Sequence, residues 1–238
     1  RRVLGLDERA SLKEIKSTQA KLEHGDFPRN PGRPMIRRLN RNEYNYTVRD
    51  LFGVNFFPGR EFPADGAGGE GFDNVGDALF IPPVLMEKYL AASKKIVEEI
   101  YAKPDLTARV LVMKPSDKIA PKDAARAVLK YNASLAFRRM ASDEDIASMQ
   151  SLAEKNLDAG QPFELALKAP IQSLLLHPNF LFRSEIDQPG NQQWRINDFE
   201  LATRLSYFIW SSAPDRQLLK LASEGKLSDK AILAQQVE

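Results

Sequence analysis

Cysteine is absent from the 238 residues. That absence removes disulfides, thiolate nucleophiles and Cys-ligated zinc together, and it excludes covalent attachment of a c-type haem to this stretch. Histidine is scarce. His24 and His177 are the two imidazoles, too few for a three-His zinc site and without the arrangement a Ser-His-Asp set requires. Long hydrophobic runs are missing as well. The apolar candidates 171–176 and 180–182 are interrupted by His177 and Pro178, far short of the ~20 apolar residues of a membrane span. No sign of charge dominates: 34 Lys+Arg against 32 Asp+Glu leave a net +2, which gives no footprint for nucleic acid. Neither an initiator Met nor a signal peptide opens the sequence, so the chain reads as a piece of a longer protein, and any targeting information is expected outside it.

What is present is helix punctuation. Apolar residues make up 43% of the chain, enough for a buried core. Ser11 with Glu14 fits a capping box for a helix to about His24, stopped by Gly25. Pro28, Pro31, Gly32 and Pro34 mark a linker. Asn40 with Glu43 is a second capping box, and Tyr44, Val48, Leu51 and Phe52 form one apolar stripe that Gly53 ends. Residues 54–81 lack helical periodicity and hold six glycines, a length of loop that is often functional. Pro82 and Pro83 open a helix to about Tyr101 with Leu85, Tyr89, Ala92, Ile96 and Ile100 inward, expected to pack on the Tyr44 stripe. Residues 103–120 read as a connector with a short strand over 108–113. Pro121 begins a helix to about Arg139, Ser142 caps another that Gly160 closes, and 163–177 is a helix with a kink or break at Pro170. Asn197 with Glu200 opens a helix striped by Leu201, Leu205, Phe208 and Ile209. Residues 214–224 and 229–238 follow, the last capped by Ser228. The fold class is therefore all-α: a multi-helix array with one long, ordered glycine-rich loop and little or no β-structure.

Two runs carry a resemblance. Arg37-Arg-Leu-Asn-Arg-Asn-Glu-Tyr-Asn-Tyr-Thr-Val-Arg-Asp-Leu-Phe-Gly-Val54 and Phe62-Pro-Ala-Asp-Gly-Ala-Gly-Gly-Glu-Gly-Phe-Asp-Asn-Val75 resemble the planctomycete-type multidomain cytochrome c proteins. Leu174-Leu-Leu-His-Pro-Asn-Phe-Leu-Phe-Arg183 and Glu200-Leu-Ala-Thr-Arg-Leu-Ser-Tyr-Phe-Ile-Trp-Ser-Ser-Ala-Pro-Asp215 are similar to later helical domains of that family. The resemblance implies an N-terminal helix and linker (1–34), a first helical domain (35–102), the connector (103–120), a second domain (121–185) and the start of a third (195–238). It implies a periplasmic or otherwise exported protein with haem c carried on neighbouring segments, so its partners are haem domains of the same polypeptide. The function it implies is a helical scaffold positioning those domains in an electron-transfer context. Some relatives carry a β-rich, sugar-binding insert where this chain has only the connector. Two rival readings are a polysaccharide-binding or polymer-processing module and a helical interaction module without chemistry. Whether the chain is an enzyme stays open.

Candidate sites follow. Asp65, Glu70, Asp73, Asn74 and Asp77 lie among glycines and offer the oxygen ligands that calcium takes. The rival reading is a surface loop whose carboxylates pair with Arg37, Arg38 or Arg49. Arg37, Arg38 and Arg41, with Arg49, could clamp a cofactor's carboxylates, such as haem propionates, or serve as a solvated face. His177 could cap a helix end or ligate a haem held by another segment. Trp194, Tyr207, Phe208 and Trp210 offer aromatic faces, with Phe208 expected in the core stripe and Trp210 on the surface. Glu43, Asp50, Glu70 and Asp73 are the carboxylates a glycoside hydrolase pair would draw on.

Overall fold

The structure is a computed structural model that describes residues 36–64, 81–186 and 195–237. Its elements are helices joined by short turns, with a single two-stranded sheet among the described residues. β1 (Arg37–Arg38) leads into α1 (Arg41–Phe52), and a 3-10 turn follows at Pro58–Glu61. Next come α2 (Pro83–Ala102) and α3 (Pro104–Val110). The second stretch holds α4 (Pro121–Ala136), α5 (Asp143–Asp158), α6 (Phe163–Ala166), α7 (Lys168–Leu176) and α8 (Pro178–Leu181). β2 (Phe182–Arg183) runs antiparallel to β1, pairing Arg183 with Arg37 and Phe182 with Arg38. The last part is α9 (Asp198–Trp210), α10 (Arg216–Ser223) and α11 (Lys230–Gln235).

The capping boxes read from the sequence start α1 and α9 as expected. The Asn40 side chain accepts from the Glu43 N–H while the Glu43 carboxylate returns to the Asn40 N–H, and Asn197 with Glu200 does the same. Ser142 and Asp145 form a third box on α5. Gly53 ends α1 in the left-handed region at φ 76°, where a Cβ would strain the backbone and meet Leu106 Cδ2 at 2.8 Å. Gly59 has a different reason to be glycine: an added Cβ would lie 2.7 Å from the Arg41 carbonyl.

One apolar core runs through both α1–α3 and α4–α8. Tyr44, Val48 and Phe52 are buried in it, with Leu51 partly so, and the Tyr44 ring lies 5.4 Å from that of Tyr89 on α2. Phe62, just past the 3-10 turn, packs edge-on against Tyr44 and Tyr89 at 5.0 and 4.8 Å. It anchors the start of the glycine-rich loop; Phe72 and the rest of that loop lie outside the described residues. The α7 helix contacts α2, α4, α5, α6 and α8. Its Ile171, Leu174 and Leu175 are fully buried, each contributing roughly 1.5–3 kcal/mol. A second, small cluster of Ala202, Leu218, Ala222 and Leu227 lies between α9 and α10 and their following turn.

Four local expectations give way. Residues 104–110 are helix rather than the start of a strand, because Pro104 occupies the first helical turn, where its missing N–H is no loss. The break in 163–177 falls at Leu167, three residues before Pro170. A proline has no N–H for the carbonyl four residues back and crowds it. That carbonyl, Ala166 O, instead accepts from Asn156 Nδ2 at 3.0 Å. Asp229, not Ser228, caps α11, while the Ser228 hydroxyl donates to Asp198 at 2.9 Å. Finally, Phe208 is 88% exposed, because Ala202, Ser206 and Tyr207 supply the buried side of α9. The expected helix over 11–24 lies outside the described residues.

Candidate functional site

The described residues bring four side chains from distant parts of the chain to one buried junction: Thr47 on α1, Arg138 after α4, Arg183 on β2 and Tyr207 on α9. Arg138 follows the last turn of α4 with φ 59°, a conformation that glycine usually adopts at a helix C-terminus. The strain places its side chain inward, where it is 3% exposed. Nη2 donates to the carbonyls of Asn179 and Phe182, both at 2.6 Å, and Nη1 to that of Phe180 at 3.2 Å. A guanidinium thus satisfies the free carbonyls at the end of α8, which carry partial negative charge.

Tyr207 closes the junction. Its hydroxyl lies 2.9 Å from Thr47 Oγ1 and accepts from Arg138 Nη1 at 3.3 Å. Its ring is covered by the Arg183 guanidinium at 4.5 Å, with Arg138 at 5.8 Å. Arg183 Nη2 donates to Glu43 Oε1 at 2.7 Å, a pair with side-chain exposures of 16% and 7%. Burial pushes the Arg183 guanidinium below the ordinary arginine range; Glu43 and Tyr207 oppose this, and Arg138 and Arg37 add to it. A buried network of this kind holds one geometry only while its members are satisfied.

The residues singled out in the sequence lie in different surroundings. Arg38 is buried and donates to the Leu39 carbonyl at 2.9 Å and the Tyr89 hydroxyl at 3.0 Å. Arg41 donates to the carbonyls of Gly59 and Arg60, each at 2.8 Å, holding the 3-10 turn on α1. Arg37 is exposed, and Arg49 is occupied by Asp50. His177 caps α8: its Nδ1 accepts from the Asn179 N–H at 3.1 Å, and its ring lies 4.6 Å from that of Phe137. Burial lowers its proton affinity, with Asp145 opposing and Arg139 assisting.

Glu43 and Asp50 are engaged by Arg183 and Arg49. Asp65, Glu70, Asp73, Asn74, Asp77, His24 and Trp194 lie outside the described residues. Among the described residues no group of three or more His, Asp or Glu could hold a metal, and no helix is long and apolar enough to cross a membrane. Trp210 is partly exposed, as expected.

Sequence reasoning missed Arg138 and Arg183 as site residues and treated Tyr207 as a surface aromatic. Arg183 stands at the end of the quoted run 174–183, but nothing in its spacing signals a contact with Glu43.

Three domain models match the chain. PSD3, a protein of unknown function (DUF1587), matches residues 37–102; PSD5, a protein of unknown function (DUF1595), matches 124–185; and PSD4, a protein of unknown function (DUF1592), matches 196–238. These are domains of the planctomycete-type cytochrome c proteins. The chain belongs to that family. No curated protein and no solved structure matches it. Within the planctomycete-type cytochrome c domains, the junction draws Glu43 and Thr47 from the first match, Arg138 and Arg183 from the second and Tyr207 from the third. With no cysteine, this part of the protein carries no covalently bound haem.

Proposed function

We propose that this chain is the helical core of an exported, multidomain cytochrome c protein and that it fixes the relative positions of haem-bearing domains on neighbouring segments. The observation that supports this most is the Tyr207 junction. Each of the three family domains contributes a side chain to one buried polar cluster, so rotating any of them would leave charge or hydroxyl groups unsatisfied at a cost of about 1–3 kcal/mol each. Electron transfer between haems falls steeply with distance, and a connector that resists rotation keeps that distance constant. With no cysteine, the chain holds no haem covalently, so the haems of this reading belong to neighbouring segments.

The test uses the full-length protein with its haems. Tyr207→Ala is expected to broaden the haem–haem distance distribution in pulsed EPR while leaving each haem's spectrum unchanged. An unchanged distribution argues against the scaffold role. A gene with no CxxCH segment on either side of this chain removes the electron-transfer reading altogether.

A further inference from the structure

We propose that the cross-strand pair Arg37 and Arg183 binds an oxyanion, a carboxylate or a phosphate, supplied from outside this chain. The register of the two-stranded sheet sets Arg37 directly opposite Arg183. Like charges in that position repel, since directly opposed residues hold their Cβ atoms about 4.5–5.5 Å apart. Arg138 adds a third guanidinium from the other side. Every hydrogen bond of its side chain ends on a neutral acceptor: the carbonyls of Asn179, Phe180 and Phe182, and the Tyr207 hydroxyl.

Among the described residues the Glu43 carboxylate is the ion-pair partner of Arg183. It engages Arg183 through Nη2 alone; Nε is buried without an acceptor, and Nη1 makes no hydrogen bond among the described residues. Arg37 is exposed and makes no ion pair among them. The sheet therefore sets an exposed Arg37 opposite an Arg183 that is largely buried and held by the Tyr207 ring and Glu43. An anion with two oxygens can take Arg37 as a fork and meet Arg183 through Nη1, the nitrogen that Glu43 leaves unused, which offsets the repulsion between them.

The experiment melts the 238-residue chain at pH 7 in sodium chloride, sodium phosphate and sodium succinate at matched ionic strength, so that general screening is equal. In parallel, the arginine Nε–Hε resonances are followed in arginine-labelled protein. Phosphate, succinate or both should raise the melting temperature saturably and shift the Arg37 and Arg183 signals. Whichever salt acts identifies the oxyanion class. Arg37→Gln, a change at an exposed position, should weaken the apparent affinity about tenfold, while Arg49→Gln should leave it unchanged. Melting that is the same in all three salts overturns the proposal, as does an Arg37→Gln variant that responds like the wild type.

Discussion

Tyr44 and Tyr207 are both buried, yet their hydroxyls are treated differently. Among the described residues the Tyr44 hydroxyl has no hydrogen-bond partner, and burial, with Tyr89 beside it, pushes its proton affinity far up. The Tyr207 hydroxyl is shared by Thr47 and Arg138. A buried hydroxyl without a partner costs desolvation energy with no return, whereas a bonded one leaves orphans when it is removed. Tyr44→Phe is therefore expected to leave stability unchanged or raise it by up to about 1 kcal/mol, and Tyr207→Phe to lower it by about 1–2 kcal/mol. Urea denaturation of the two variants checks both signs at once. His177 adds a pH dependence. A base whose pKa is lowered in the fold binds its proton better when unfolded, so the stability it contributes is complete above the unfolded value of about 6.5. That contribution falls as pH drops through 6.5 toward the lowered folded value, because the protonated ring also loses its cap on Asn179. The urea midpoint should fall between pH 7.5 and 5.5 in the wild type and fall less in His177→Asn, which keeps a capping side chain without the titration.

Two elements explain how far the sequence could be read. α1 was legible because its signals are local: Asn40 and Glu43 three apart, a stripe at helical spacing, then a glycine. The break before α7 was only half legible. Pro170 announced a disruption, but its position depended on Asn156 reaching the Ala166 carbonyl from another helix. Glu43 shows the same limit. Its role in the capping box is written in the sequence; its second oxygen, bonded to Arg183 140 residues away, is not. This division makes a prediction. Asn40→Ala removes a cap and should cost about 1–2 kcal/mol. Glu43→Gln retains a capping group but leaves the Arg183 charge unpaired, so it should cost more, about 3–5 kcal/mol. Equal losses in equilibrium denaturation would count against the buried pair as the larger contribution.

Across the whole molecule, α1–α8 share one core and α9–α11 surround a much smaller one. Tyr207 is the one α9 residue buried in the large core. Glu185 with Arg204, and Glu200 with the Ile186 N–H, add exposed bonds along α9, worth little each. Amide hydrogen exchange should thus show α9–α11 opening at lower denaturant than α4, α5 and α7, and Tyr207→Ala should widen the gap. Uniform exchange across all helices would contradict this partition. The junction itself could not be read from the sequence. Arg138 adopts φ 59° without a glycine to signal it, and none of its four acceptors lies within forty residues. The helical class was legible because composition and capping act locally; the site is a product of tertiary packing, which no local pattern encodes.

Between α3 and α4 the chain folds back so that Ser116 and Ile119 exchange both backbone hydrogen bonds at 3.1 Å, with Asp117 and Lys118 exposed at the tip. For protein engineering this is a docking port. Two chain ends already held side by side can receive a guest sequence of almost any length, because the closure cost of a loop grows only slowly with its size. A guest whose own termini are adjacent, such as a small fluorescent or affinity module, placed between Asp117 and Lys118 should leave the host's melting temperature within a degree or two, on the order of the small effects usual for surface changes. The same module placed between Arg138 and Arg139 should prevent folding.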